Sequence, residues 1–246
     1  MIHFPTNEDM KKYYANFPFS CFEIQYSDFA VKQLDDIEGL KQIAILRELS
    51  AWKIALKNKW NDVAKSFALM MFYYDKGIPD EPYYVSPGRK GQSIEYFPYF
   101  DAEHFAIKDG FDFYADIYYF KVFSAIDGIW QILNVYFNLG LMVDKVSFKN
   151  VCSKLEKIDA QTVALLKRIF EDERYQKGKD LRNNITHRLP VGSQGTGIRR
   201  KGNATIFYVF EYAGSKQTVE TAKALLNFSV EAFKKIKNLC NKNNLP

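Results

Sequence analysis

Leu181-Arg182-Asn183-Asn184-Ile185-Thr186-His187-Arg188-Leu189-Pro190 is the stretch on which the reading of this chain turns. On a helix Asn183 and His187 stand four apart and share a face. Arg182 lies within ~140° of His187, a gap its long side chain can close, while Leu181 and Ile185 point the other way and can anchor the helix. Pro190 forbids extension and disfavours helical geometry at Leu189, which puts His187 in the final turn. The surroundings are basic. Between Lys167 and Lys201 ten Lys and Arg residues face four Asp and Glu, a window of +6 in a chain whose total is +5. Such a window suits a polyanion, or it is a solvated basic surface.

The residue types suit cleavage of an RNA phosphodiester. Imidazole titrates near neutrality, so His187 can take a proton from a ribose 2′-OH or give one to a leaving oxygen. Arg182 offers a planar fork of donors to phosphate oxygens that gain charge in the transition state. Asn183 can orient the histidine or donate to the phosphate. No metal is required, and no carboxylate cluster stands nearby in the sequence to hold one. A reaction that uses both a base and an acid is better served by two such histidines, which a two-fold dimer would supply.

Outward from the motif the chain reads as helices. Leu49, Trp52, Leu56, Trp60, Val63, Phe67, Met70 and Tyr74 recur at helical spacing within a long helix expected over 37–76, capped by Asp35 or Asp36 and ended by Gly77 and Pro79. A straight helix of that length would span about 60 Å, so a break near Asn58–Asn61 is expected. Residues 1–36 form an aromatic N-terminal arm. Residues 77–110, rich in Pro, Gly and Tyr, read as a long packed loop with a short strand near 93–97. A buried helix is expected over 111–139. Its one polar seam, Ser124, Asp127, Gln131, Asn134 and Asn138, falls within an ~80° sector. The seam is either an internal hydrogen-bond network or solvent-facing strip, or the wall of a polar cleft or subunit contact, with Asp127, Gln131 and Asn134 as the wall residues. Short helices follow at 147–157, with Ser147 as a cap, and 159–176. Gly178 is expected to interrupt, and Asp180 to cap the motif helix. Residues 190–203 read as a flexible basic loop, 205–212 as a strand, and 217–241 as a final amphipathic helix.

Several classes fall away. Cys21, Cys152 and Cys240 are isolated, which excludes a disulfide framework and a Cys-based zinc site and fits a reducing cytoplasm. The N-terminus lacks the pattern of a signal peptide. The most apolar run, 120–143, carries Lys121 and Asp127, and one central Asp costs roughly 2.5–3.5 kcal/mol on membrane insertion scales, so it reads as a buried soluble helix. Gly192, Gly195 and Gly197 neither follow a strand nor precede Gly-Lys-Ser/Thr, which rejects a nucleotide P-loop. No internal repeat or linker is present, so one domain over 1–246 is expected, with the motif-bearing bundle at 111–245.

Arg182, the polar Asn183, three further residues and His187 at a helix end resemble the signature of the HEPN superfamily. The likeness is specific at these three positions and extends loosely over 111–245. It implies an all-α antiparallel helical bundle, here with a long N-terminal helix and a small β appendage around 93–97 and 205–212. It also implies a metal-independent endoribonuclease without cofactor, working as a homodimer with a composite cleft, of the kind found among toxins and phage-defence effectors in prokaryotic cytoplasm. Arg182, Asn183 and His187 would be catalytic; Arg188, Arg199, Arg200 and Lys201 would hold RNA backbone. An antitoxin or regulatory protein is the further partner that the resemblance admits. Some relatives keep the fold without nuclease function, and a module that binds nucleotide, RNA or a protein partner is the alternative.

Overall fold

The computed structural model describes residues 4–25, 28–29, 39–80, 84–85, 95–96, 100–187, 196–201, 204–209 and 214–242. These are largely helical. Helix α1 covers Asn7–Ala15, α2 Leu40–Tyr74, α3 Ala102–Tyr136, α4 Phe148–Leu155, α5 Ala160–Phe170, α6 Glu173–His187 and α7 Ser215–Lys242. Two antiparallel hairpins accompany them: β1 (Tyr84–Val85) with β2 (Glu95–Tyr96), and β3 (Thr196–Lys201) with β4 (Ala204–Val209). No helix among the described residues is long and apolar enough to cross a membrane.

Contacts group the residues into two compact units. The first holds Met1–Ala15, Ser66–Tyr119 and Gly178–Lys223; the second holds Asn16–Lys65, Phe120–Lys177 and Ala224–Pro246. In the first, α1 is tied down by Lys12 and Tyr13, which both donate to the Asp75 carboxylate at 3.0 and 2.9 Å. Two buried tyrosines of its core place their hydroxyls on backbone carbonyls. Tyr118 donates to Ala222 O at 2.8 Å and Tyr119 to Thr218 O at 3.0 Å, bonding α3 to the first turns of α7. The start of α7 is held by Asp80, which is almost fully buried and accepts from both Ser215 N and Ser215 Oγ.

The second unit is built on aromatic packing. Phe22 stacks on Trp60 at 3.8 Å, and both approach Phe233 of α7. Trp130, Phe148, Phe170, Tyr175 and Phe228 form a second cluster that joins α3, α4, α5, α6 and α7. Tyr136 donates to Cys240 O at 2.6 Å. The segment after α1 is pinned to α7 by Asp28, which meets Lys237 at 2.6 Å and Asn241 at 3.1 Å.

Several sequence expectations change. Helix α2 runs 35 residues without a break at Asn58–Asn61. It contains no Gly or Pro, and nothing in its backbone demands a kink. Helix α3 starts nine residues before the expected 111, inside the segment read as loop. Asp101 caps it by accepting from His104 N at 2.8 Å. Gly110, read as a loop glycine, lies inside α3 where a Cβ would come within 2.5 Å of the Tyr73 ring. Gly178 does not interrupt α6. The break falls earlier, at Glu171–Asp172, because Asp172 accepts from Arg174 N at 2.9 Å and starts a new helix. A buried helical glycine costs only about 1 kcal/mol, which the packing of α6 overrides. Residues 196–201, expected in a flexible loop, form strand β3, whose register with β4 runs from Thr196–Val209 to Lys201–Ala204. Most of the arm beyond residue 29, much of the 77–110 loop and residues 188–195 lie outside the described residues.

Candidate functional site

Helix α6 carries the motif. Its start is secured twice: Asp172 caps the first turn, and Gln176 Nε2 donates to Phe170 O at 2.7 Å, satisfying a carbonyl left open at the end of α5. From there 15 residues lead to His187 as the last helical residue. Asn183 and His187 are one turn apart on this helix and Arg182 is adjacent to Asn183, so the three share the end of one rigid element. Arg182 and Asn183 are half-buried. The Nε atom of Arg182 is shielded from solvent. The arginine is therefore set into the fold along part of its length and is not a free surface cation.

The residues expected to hold RNA backbone divide. Arg188 lies outside the described residues. Arg199, Arg200 and Lys201 are consecutive on β3, opposite Ile206, Thr205 and Ala204 of β4.

The polar seam of α3 belongs to the second unit and is partly accounted for there. Asn134, buried, donates to Leu141 O at 3.0 Å and accepts from Leu141 N at 3.1 Å. Gln131 donates to Val143 O at 3.0 Å. Ser124 accepts from Lys59 at 2.6 Å. These bonds bind α3 to its own C-terminal loop and to α2. Asp127 and Asn138 are the exposed members of the seam.

Two features escaped the sequence reading. One is a cavity of about 290 Å³ in the second unit, bordered by Arg168, Asp172, Arg174, Phe228, Glu231 and Lys235. It arises from residues far apart in the chain and has no sequence signature. The other is a row of carboxylates on the N-terminal half of α3. Burial, and after it the Asp112 charge, push Asp116 up to about 6. Burial also raises Asp112, against the Lys108 ammonium that lowers it. The spacing Asp109, Asp112, Asp116 is helical and visible in the sequence, but only once the helix is known to begin before 109. Among the described residues no group of three or more His, Cys, Asp or Glu side chains is placed to hold a metal ion.

Comparison with curated proteins and with solved structures returns no match. The model of one family, described as HEPN_Cthe2314-like HEPN, matches residues 52–241. That match covers well over half of the 246-residue chain and takes in α3 to α6 with the Arg182–His187 stretch. A largely helical fold with this match places the chain in a family: it belongs to the HEPN_Cthe2314-like HEPN proteins.

Proposed function

We propose that the protein is a metal-independent endoribonuclease of HEPN type, acting as a homodimer in the manner of a toxin or phage-defence effector. The observation that carries this reading is that Arg182, Asn183 and His187 occupy the end of one helix inside the region of the family match. In the reaction, the 2′-oxygen attacks phosphorus as His187 of one protomer takes its proton. The bond to the 5′-oxygen breaks, and the second protomer's His187, in its protonated form, gives that oxygen a proton. The products are a 2′,3′-cyclic phosphate and a 5′-hydroxyl. Arg182 stabilises the charge on the non-bridging oxygens, and Asn183 orients the imidazole or donates to the phosphate. Arg188, Arg199, Arg200 and Lys201 hold the backbone of the RNA.

The test is cleavage of a labelled total-RNA substrate in EDTA, with His187→Ala alongside. The reading expects cyclic-phosphate ends from the wild type and a loss of at least 100-fold in the variant, on the scale of removing a general acid or base. Equal rates, or no cleavage of any RNA by the wild type, would reject it.

A second reading is a non-catalytic HEPN module that binds nucleotide, RNA or a protein partner. The partly buried Arg182, with its Nε out of solvent, favours it, because a guanidinium set into the fold can hold α6 in place. RNA retention that weakens steeply with salt, without cleavage, would select this reading.

A further inference from the structure

Among the described residues, the N-terminal half of α3 presents a face with exposed rings and partly exposed carboxylates. Phe105 and Phe113 are 56% and 60% exposed. Asp109, Asp112 and Asp116 lie between and beside them, and all five positions fall within a ~100° sector of the helix. The two rings are held in place from within the chain: Phe105 packs edge-on against Phe100 at 5.2 Å, and Phe113 against Tyr114 at 5.2 Å.

The charge on this face is unbalanced. Lys108 is buried and donates to Asp112 at 2.6 Å, one ammonium beside three carboxylates. Asp109 is exposed and Asp116 is half-buried. Burial first, and the neighbouring Asp112 charge after it, push the Asp116 carboxyl up to about 6. A surface of this kind repels nucleic acid and anionic lipid headgroups, although the chain as a whole is +5. It attracts a cation that brings its own apolar surface.

We propose that the Phe105–Asp116 face of α3 is a docking surface for a basic amphipathic helix of a partner protein, with Lys or Arg set beside apolar residues at helical spacing. The partner's apolar residues cover Phe105 and Phe113, and its cations meet Asp109, Asp112 and Asp116. This is helix-on-helix recognition by matched periodicity and opposite charge. The inference stands apart from the proposed nuclease chemistry, since none of these residues belongs to the Arg182–His187 motif.

The experiment uses the full chain and a fluorescein-labelled amphipathic peptide of about 18 residues with one Leu face and one Lys face. Its control replaces every Lys by Glu. Fluorescence anisotropy is expected to show saturable binding of the Lys peptide and none of the Glu peptide. The double variants Phe105→Ser/Phe113→Ser and Asp109→Asn/Asp116→Asn are each expected to weaken binding at least tenfold with an unchanged circular dichroism spectrum. His187→Ala is expected to bind as the wild type does, so a failed nuclease assay leaves this result standing. No binding, equal binding of both peptides, or undiminished affinity in the variants would overturn the proposal. So would a wild-type dimer that either double variant dissociates, which would assign the face to a second copy of the chain. Wild-type binding to phosphatidylserine vesicles that the same variants abolish would assign it to a membrane and overturn it equally.

Discussion

The Arg174 guanidinium grips the Glu231 carboxylate with two hydrogen bonds, Nη1 to Oε1 at 2.9 Å and Nη2 to Oε2 at 2.8 Å, across 57 positions of sequence. The same guanidinium holds Asp172 through Nε and Nη2 at 3.0 and 2.8 Å. One planar side chain thereby joins the first turn of α6 to α7. These hydrogen bonds hold both carboxyls below their ordinary values. Arg174→Lys keeps the charge but cannot span two carboxylates at once. The pair is partly exposed, so the expected cost is on the order of 1 kcal/mol. Because the folded pKa values are depressed, the stabilisation is present above the ordinary carboxyl values of 3.8 and 4.5 and fades as the pH falls through the folded ones. Urea unfolding should separate wild type and variant near neutrality and bring them together at about pH 2. Identical midpoints at neutral pH would show that the clamp contributes nothing.

Asp80→Ala should destabilise by about 1–3 kcal/mol, because it leaves Ser215 N and Ser215 Oγ at the start of α7 without their buried acceptor. Thermal unfolding measures the loss. Asp80→Asn, which keeps one acceptor oxygen, should lie between the two.

Gly110→Ala sets two effects against each other. Alanine gains about 1 kcal/mol of helix propensity over glycine. Its Cβ would meet the buried Tyr73 ring at 2.5 Å, and overpacking of that kind costs about 1–3 kcal/mol. The clash should win, so the variant should unfold at lower denaturant. A stabilised variant would mean that Tyr73 moves aside freely.

Asp116→Asn reads the carboxylate row directly. The carboxyl has a folded pKa of about 6 against an ordinary value of 3.8, so it favours folding fully only below 3.8 and loses that contribution as the pH rises through about 6. The neutral amide does not suffer this loss. The variant should therefore be more stable than wild type near pH 7, by about 1 kcal/mol once solvent screening at a half-exposed site is counted. The advantage should vanish at low pH. A variant less stable at neutrality would point to a partner for the ionised form.

Arg182→Lys addresses the proposed chemistry. The ammonium keeps the charge and loses the fork of donors, so cleavage should fall by roughly 10²–10³ while RNA affinity changes little. Equal losses in affinity and rate would make Arg182 a binding residue instead.

Much of the helical layout was legible because it depends on neighbours. Ser147 accepts from Asn150 N at 3.3 Å and Asp159 from Thr162 N at 2.9 Å, each starting its helix where a capping residue precedes an apolar period. Leu49, Leu56, Trp60 and Val63 are buried on one face of α2, as their spacing implies. Gly110 and Gly178 misled because a glycine reads as a breaker unless its packing partner is known. Gly110 needs Tyr73 to explain it, and Tyr73 stands 37 positions earlier. The basic loop hid strand β3 for a related reason: pairing with β4 depends on a register that no single strand displays.

Sequence alone determined the helical period, the Ser147 cap, and the placing of Arg182, Asn183 and His187 at the end of one helix ahead of Pro190, whereas the expected Asp180 cap gave way to Asp172 at the start of α6. These follow from backbone geometry over a few residues, where 3.6 residues per turn decides which side chains are neighbours. Only the tertiary structure decided which polar groups meet: Asp80 with Ser215, Arg174 with Glu231, Tyr118 with Ala222. It also decided that the Asp109–Asp116 row would lie beside exposed phenylalanines with one buried lysine for company. Such pairings join segments 57 to 135 positions apart, and burial sets their strength, which depends on how whole helices pack and not on any local run of residues.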